Sequence, residues 1–138
     1  MFTYGQQQSA QVPGPETRLI VLIDSRDSED INAVELDAIL DTGADACCIP
    51  KDQISSLKTA GRILRHNQRL VRTIKGIVRV PIYECDVEFL GERYRKIELL
   101  ESEKRYAIIG RNLLNHYKIL LDGPNQRWHI CKVAHDDC

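Results

Sequence analysis

Apolar and polar residues alternate along much of this chain with a period of two. Residues 19–23 form a short apolar run rich in branched side chains, and a polar connection follows at 25–32. Val34, Leu36, Ala38 and Leu40 then recur at every second position, separated by Glu35, Asp37 and Ile39. Successive side chains of an extended chain point to opposite faces, so this pattern predicts a strand with one buried face. The two runs suit a hairpin, and the second delivers the chain to Asp41-Thr42-Gly43. A further apolar run at 46–49 is closed by Pro50, and 51–57 has room for one or two helical turns.

The alternation resumes at 68–84 as a second hairpin. Leu70, Arg72 and Ile74 precede Lys75-Gly76, and Ile77, Arg79 and Pro81 follow it. Gly76 supplies the positive φ that a two-residue turn requires. Residues 87–90 and 94–100 flank Gly91-Glu92 as a third hairpin, and Ala107, Ile108 and Ile109 make a short strand ending at Gly110. The best helix candidate is 111–117, where Leu113, Leu114 and Tyr117 share an apolar face. Residues 118–122 and 127–131 are two more strands, joined by Gly123-Pro124-Asn125-Gln126. The sum is a mostly-β domain with one C-terminal helix, spanning 17–131. It lies between a flexible N-terminal tail at 1–16, which holds Gln6-Gln7-Gln8 and Pro13-Gly14-Pro15, and a short C-terminal tail at 132–138.

Composition narrows the class without naming it. At 138 residues the chain is the size of one domain, and 43% hydrophobic with 28% charged residues suits a globular protein. A net charge of -1 gives no reason to expect nucleic acid or an anionic membrane as partner. No apolar run approaches the roughly 20 residues needed to span a bilayer, and residues 1–16 lack the pattern of a secretory signal. Five cysteines, an odd number, then predict reduced thiols and a cytoplasmic setting. His129, Cys131, His135 and Cys138 match no familiar zinc spacing, so neither a metal nor a cofactor is expected.

The candidate chemistry sits at Asp41. A lone Asp-Thr-Gly is a weak signal, because ordinary turns produce it. Here it follows the apolar Ala38-Ile39-Leu40 and opens the segment Leu40-Asp41-Thr42-Gly43-Ala44-Asp45. A second block, Ile108-Ile109-Gly110-Arg111-Asn112-Leu113-Leu114, lies downstream, with the Gly76 hairpin between the two. In this combination, over about 18–130, the chain resembles the retropepsins, the retroviral-type aspartic proteases, and their cellular and bacterial relatives. With one glycine at its tip, the hairpin looks more like those of the cellular and bacterial members. Ala46 stands where many retroviral enzymes carry a further acid, so substrate preference does not carry over.

The resemblance implies a closed β-barrel of the acid-protease half type, assembled as a symmetric homodimer and cleaving polypeptides. It makes Asp41 the catalytic acid, with Thr42 and Gly43 shaping its loop. Ala44, Asp45, Ile74, Lys75, Gly76 and Ile109 become the substrate-binding positions, with 70–82 a flap over the substrate. Gly110 would let the second strand pass close behind the loop, and Arg111 would support the site by pairing with Asp45. Amide hydrolysis needs a base for the water and an acid for the leaving nitrogen, and two carboxylates sharing one proton supply both. This chain holds one Asp-Thr-Gly, so the second carboxylate has to come from another copy. The alternative is a catalytically silent module of the same fold that dimerises or binds peptides.

Overall fold

Ten strands and two helices make up the computed structural model, which describes residues 2–3, 15–24, 31–60 and 64–132. In chain order the elements are β1 (Phe2–Thr3), β2 (Glu16–Asp24), β3 (Ile31–Leu40), β4 (Cys47–Pro50), α1 (Lys51–Ala60), β5 (Leu64–Thr73), β6 (Gly76–Phe89), β7 (Glu92–Ser102), β8 (Ala107–Ile109), α2 (Arg111–Leu114), β9 (Tyr117–Asp122) and β10 (Arg127–Lys132).

Six strands close a barrel. Their order is β2-β3-β8-β4-β7-β6, and β6 returns to β2 through the antiparallel pairs Ile20–Glu88, Val21–Val87 and Leu22–Asp86. The alternation read from the sequence is what fills it. On β3, Leu36, Ala38 and Leu40 are buried while Glu35 and Asp37 are exposed. Leu19, Val21, Val87, Phe89 and Leu99 meet them in one core. Each such aliphatic or aromatic side chain contributes about 1.5–3 kcal/mol on burial. Closure leaves none of these six strands with a free edge along its paired segments.

β6 serves two structures at once. Its first half pairs with β5 from Gly76 to Glu84, and its second half pairs with β7 and β2 inside the barrel. A register shift between Cys85 and Val87 marks the β6–β7 ladder. Asp86 secures it by accepting from the Lys96 amide at 3.0 Å and the Arg93 guanidinium at 2.7 Å. Partial burial pushes the Asp86 carboxyl up, but these two hydrogen bonds and the charges of Arg93 and Arg95 outweigh it and hold it below the usual carboxylate value.

A separate three-stranded sheet, β1-β10-β9, holds the end of the chain. Phe2 and Thr3 belong to the stretch read as a tail, yet they pair with Trp128 and Arg127; 4–14 and 133–138 lie outside the described residues. Trp128 and Ile130 are buried against the barrel, whereas Leu120 and Leu121 are 59% and 49% exposed. Tyr117 opens β9, its ring edge-on to Phe89 with centroids 5.5 Å apart and its hydroxyl hydrogen-bonded to that of Tyr94.

The helices depart in part from expectation. Among the described residues there are two: α1, with Ile54 buried, carries the helical turns expected at 51–57 on to Ala60 and is the longer, while α2 has only four residues. The expected helix at 111–117 stops early because its apolar residues do different work. Leu113 and Leu114 are buried in α2, but Tyr117 enters the β9 ladder opposite Lys132.

Candidate active site

Two strands that run parallel converge on Asp41. β3 pairs with β8 through Ala38–Ala107, Ile39–Ile108 and Leu40–Ile109. The Asp41 amide extends this ladder by donating to the Ile109 carbonyl at 3.0 Å. The chain then turns sharply. The Ala44 amide donates to the Asp41 carbonyl at 3.1 Å, and the Gly43 amide to Asp41 Oδ1 at 2.9 Å. One carboxylate oxygen is thereby held by its own loop, as short acidic side chains do in turns. The Asp41 side chain is half-buried, and Thr42 and Gly43 are exposed.

The second strand passes immediately behind that loop. A Cβ built on Gly110 would lie 2.4 Å from both the carbonyl carbon and the oxygen of Ala46, closer than any real Cβ approaches. The absence of a side chain is therefore the condition for the crossing. The Arg111 amide donates to the Ala44 carbonyl at 2.8 Å, so the strand that supports Asp41 is also bonded to the far side of its turn. Asn112 completes the frame. Its Oδ1 accepts from the Cys47 amide at 2.9 Å and its Nδ2 donates to the Glu98 carbonyl at 3.0 Å, bridging β4 and β7.

Two free thiols lie against this frame. Cys47 is fully buried, and its sulfur accepts from the Gly110 amide at 3.4 Å. Burial pushes its pKa up to about 12, which the Gly110 hydrogen bond partly opposes and the neighbouring Cys48 thiol reinforces. Burial likewise pushes Cys48 up to about 11, with the charges of Asp41 and Asp45 adding to it. Both are protonated at neutral pH. Cys131, by contrast, is disulfide-bonded, so the expectation of five reduced thiols fails at that position. No cluster of three or more metal-ligating side chains occurs among the described residues.

Comparison with known proteins decides the family. The model of the retroviral aspartyl protease family matches residues 14–122, well over half of the chain. The chain belongs to that family. Among solved structures, EIAV protease complexed with the inhibitor HBY-793 aligns with a TM-score of 0.55 and 22% identity, over 82% of this chain and 91% of that one. A foamy viral protease-reverse transcriptase in complex with an RNA/DNA hybrid aligns with a TM-score of 0.48 and 20% identity, over 72% of this chain and 12% of that one. No curated protein matches the sequence. Family membership accounts for the closed barrel and the Asp-Thr-Gly loop together, and no helix among the described residues is long and apolar enough to cross a membrane.

Several expectations for this member of the family need correction. The pairing of Asp45 with Arg111 does not occur. Arg111 Nη1 donates to the Thr42 carbonyl at 2.9 Å, and Asp45 is met by Arg69 Nη2 at 3.2 Å. Arg111 therefore braces the backbone of the loop rather than an acid on it. Ile109, expected to line the substrate, is fully buried in the main core, whereas Ile108 alternates to the opposite face and is partly exposed. The hairpin turn falls on Ile74-Lys75, one residue earlier than expected, and Gly76 with φ +115° pairs with Thr73 just after it. Thr73 Oγ1 ties the turn by accepting from the Lys75 amide and donating to the Gly76 carbonyl. Ile74 and Lys75 sit exposed at the tip, Ala44 is half-buried, and Asp45 is exposed on the loop.

Arg69 carries no motif that would have singled it out, and Asn112 lies within the Ile108–Leu114 block but has no role assigned to it from sequence. Arg69 is legible only once the hairpin register is known. Alternation puts it on the same face as Val71, which packs with Val80 against Ala46, Ile82 and Leu100. That small apolar cluster, joined by Cys48, is the floor between the hairpin and the Asp41 loop.

Proposed function

We propose that this chain is an aspartic endopeptidase whose working unit is a symmetric homodimer. One observation carries the reading. A half-buried Asp41 is held by a braced loop, and the sequence holds one Asp-Thr-Gly. A two-fold axis beside the loop brings Asp41 against its mate, and like charges that close keep one proton between them. The ionised partner takes a proton from water as that water attacks the scissile carbonyl, while the protonated one donates to the carbonyl oxygen. Collapse of the resulting diol, with a proton passed to the nitrogen, breaks the C–N bond and returns the shared proton. The pair titrates as a unit, so activity falls at both acid and alkaline pH.

The β5–β6 hairpin is the flap in this reading. Its tip at Ile74-Lys75-Gly76 is exposed, as are Leu70 and Ile77, and lids that exclude water from a bound peptide are drawn from such loosely held segments. Leu120 and Leu121 supply apolar surface on the terminal sheet for joining two copies.

The test is cleavage of a peptide library, with Asp41→Asn as the control. The amide is nearly isosteric but cannot relay a proton, so the variant is expected to fold, dimerise and retain less than a few per cent of parent activity. Excess variant chains should suppress the parent through mixed dimers. If subunits exchange and parent activity stays constant, the shared dyad is excluded.

A further inference from the structure

We infer that Arg69 is a positioning residue that latches the root of the flap to the catalytic loop and thereby sets how readily the flap yields to substrate. The inference rests on the protease reading above.

Arg69 joins three pieces of the site through two ion pairs. Nη2 meets Asp45 at 3.2 Å, on the loop four residues after Asp41, and Nη1 meets Glu98 at 2.8 Å on β7. Arg69 itself belongs to β5, five residues before the exposed tip at Ile74. The latch thus runs from the barrel wall and the acid loop to the base of the moving hairpin, on the inner face it shares with Val71. Beyond this point the hairpin has little to hold it down. Leu70, Ile77 and Val78 are 64%, 63% and 42% exposed, and Arg72, Lys75 and Arg79 are exposed as well.

The energetics favour a positional role over a stabilising one. Arg69, Asp45 and Glu98 side chains are 42%, 59% and 45% exposed, so water screens both pairs and their weight in global stability is small. A hairpin with few buried contacts opens locally at little cost, and a small bias at its root shifts that local equilibrium directly. The guanidinium fork suits this geometry, because its two terminal nitrogens meet two carboxylates from fixed directions, whereas an ammonium concentrates its charge at one point on a flexible stem. Asp41 touches none of these groups through its carboxylate, so the latch acts on binding and leaves the proton relay alone.

The experiment compares Arg69→Met and Arg69→Lys with the parent dimer, using a peptide the parent cleaves and amide exchange across 64–89. Arg69→Met is expected to raise KM by about threefold to tenfold with kcat within about twofold. It should also speed exchange at 69–71 and 78–80 in the inhibitor-free protein, with Arg69→Lys in between. Raising salt to about 1 M, where the screening length is near 3 Å, should raise KM of the parent and leave that of Arg69→Met unchanged. Asp45→Asn combined with Arg69→Met should be less than additive. Equal KM and equal exchange in parent and Arg69→Met overturn the latch, as does a fall in kcat matching the fall in kcat/KM. Should Arg69→Met fail to fold, Arg69→Lys and Glu98→Gln answer the same two questions. A parent that cleaves no peptide defeats the protease reading, and the exchange comparison, which needs no turnover, then decides the latch by itself.

Discussion

The loop at Asp41 and the β5–β6 hairpin meet at the Asp45–Arg69 ion pair but are held in opposite ways. The loop is fixed by backbone. Asp41 bonds to Ile109, Ala44 bonds to Arg111, and Gly110 lies against Ala46 with no room for a methyl group. The hairpin is fixed by its own ladder, a small apolar floor and two solvent-screened ion pairs at Arg69. Backbone bonds and close contacts are stiff because strain rises steeply with displacement, whereas exposed ion pairs give way over ångströms at small cost. In the proposed peptidase, the catalytic acid would take the first kind of support and the lid the second.

One substitution, glycine to alanine, breaks this comparison at both ends. Gly110→Ala places a methyl group inside the Ala46 backbone, and neither segment can retreat without losing the ladder that carries Asp41. The expected cost is about 3 kcal/mol or more, seen as loss of the cooperative transition or a large drop in denaturation midpoint. Retention of parent stability would mean that the crossing is looser than its geometry.

Alkaline titration should expose the middle of the range. Cys47 and Cys85 are raised to about 12 and Cys48 to about 11, each chiefly by burial. Once pH passes the ordinary thiol value of 9.0, the unfolded chain releases these protons and the folded one keeps them. Stability is then full below about 9 and declines as pH rises toward 12. Denaturant melts between pH 8 and 11 should show the fall, and thiol-specific alkylation of the folded protein should stay slow at pH 8. Rapid modification of all three at that pH would refute the burial.

Gly76→Ala is expected to do least. Gly76 has φ +115° but nothing within 4 Å of an added Cβ, so the penalty is backbone strain alone, about 1 kcal/mol. Denaturation should barely shift, with the change confined to amide exchange near the hairpin tip. A penalty as large as that of Gly110→Ala would erase the distinction between the two regions.

What was legible in advance follows the same division. Period-two alternation gave away the barrel strands because burial on one face leaves a regular trace in residues such as Leu36, Ala38 and Leu40. The hairpin and Gly110 were legible because glycine answers a local demand. Pairings that depend on where strands cross were not. Asp45 faces Arg69 because β5 folds over the loop, and nothing within either segment encodes that meeting. Ile108 and Ile109 are chemically identical, and only the register of β8 against β3 decides which enters the core. Residues 111–117 carry a helical apolar spacing, but the pull of β10 on Tyr117 outweighs it.

β6 is a cantilever. Its 14 residues extend about 45 Å at the rise of a β-strand, with the free end at the hairpin tip and the clamped end in the seam against Ile20, Val21 and Leu22. Any load placed on the tip travels along one continuous backbone and arrives as shear on the hydrogen bonds that close the barrel. The Cys85–Val87 irregularity lies where the lever enters its clamp, and Asp86, gripped by Arg93 and the Lys96 amide, is the rivet at that joint. The hairpin and the barrel seam are therefore joined along a single strand.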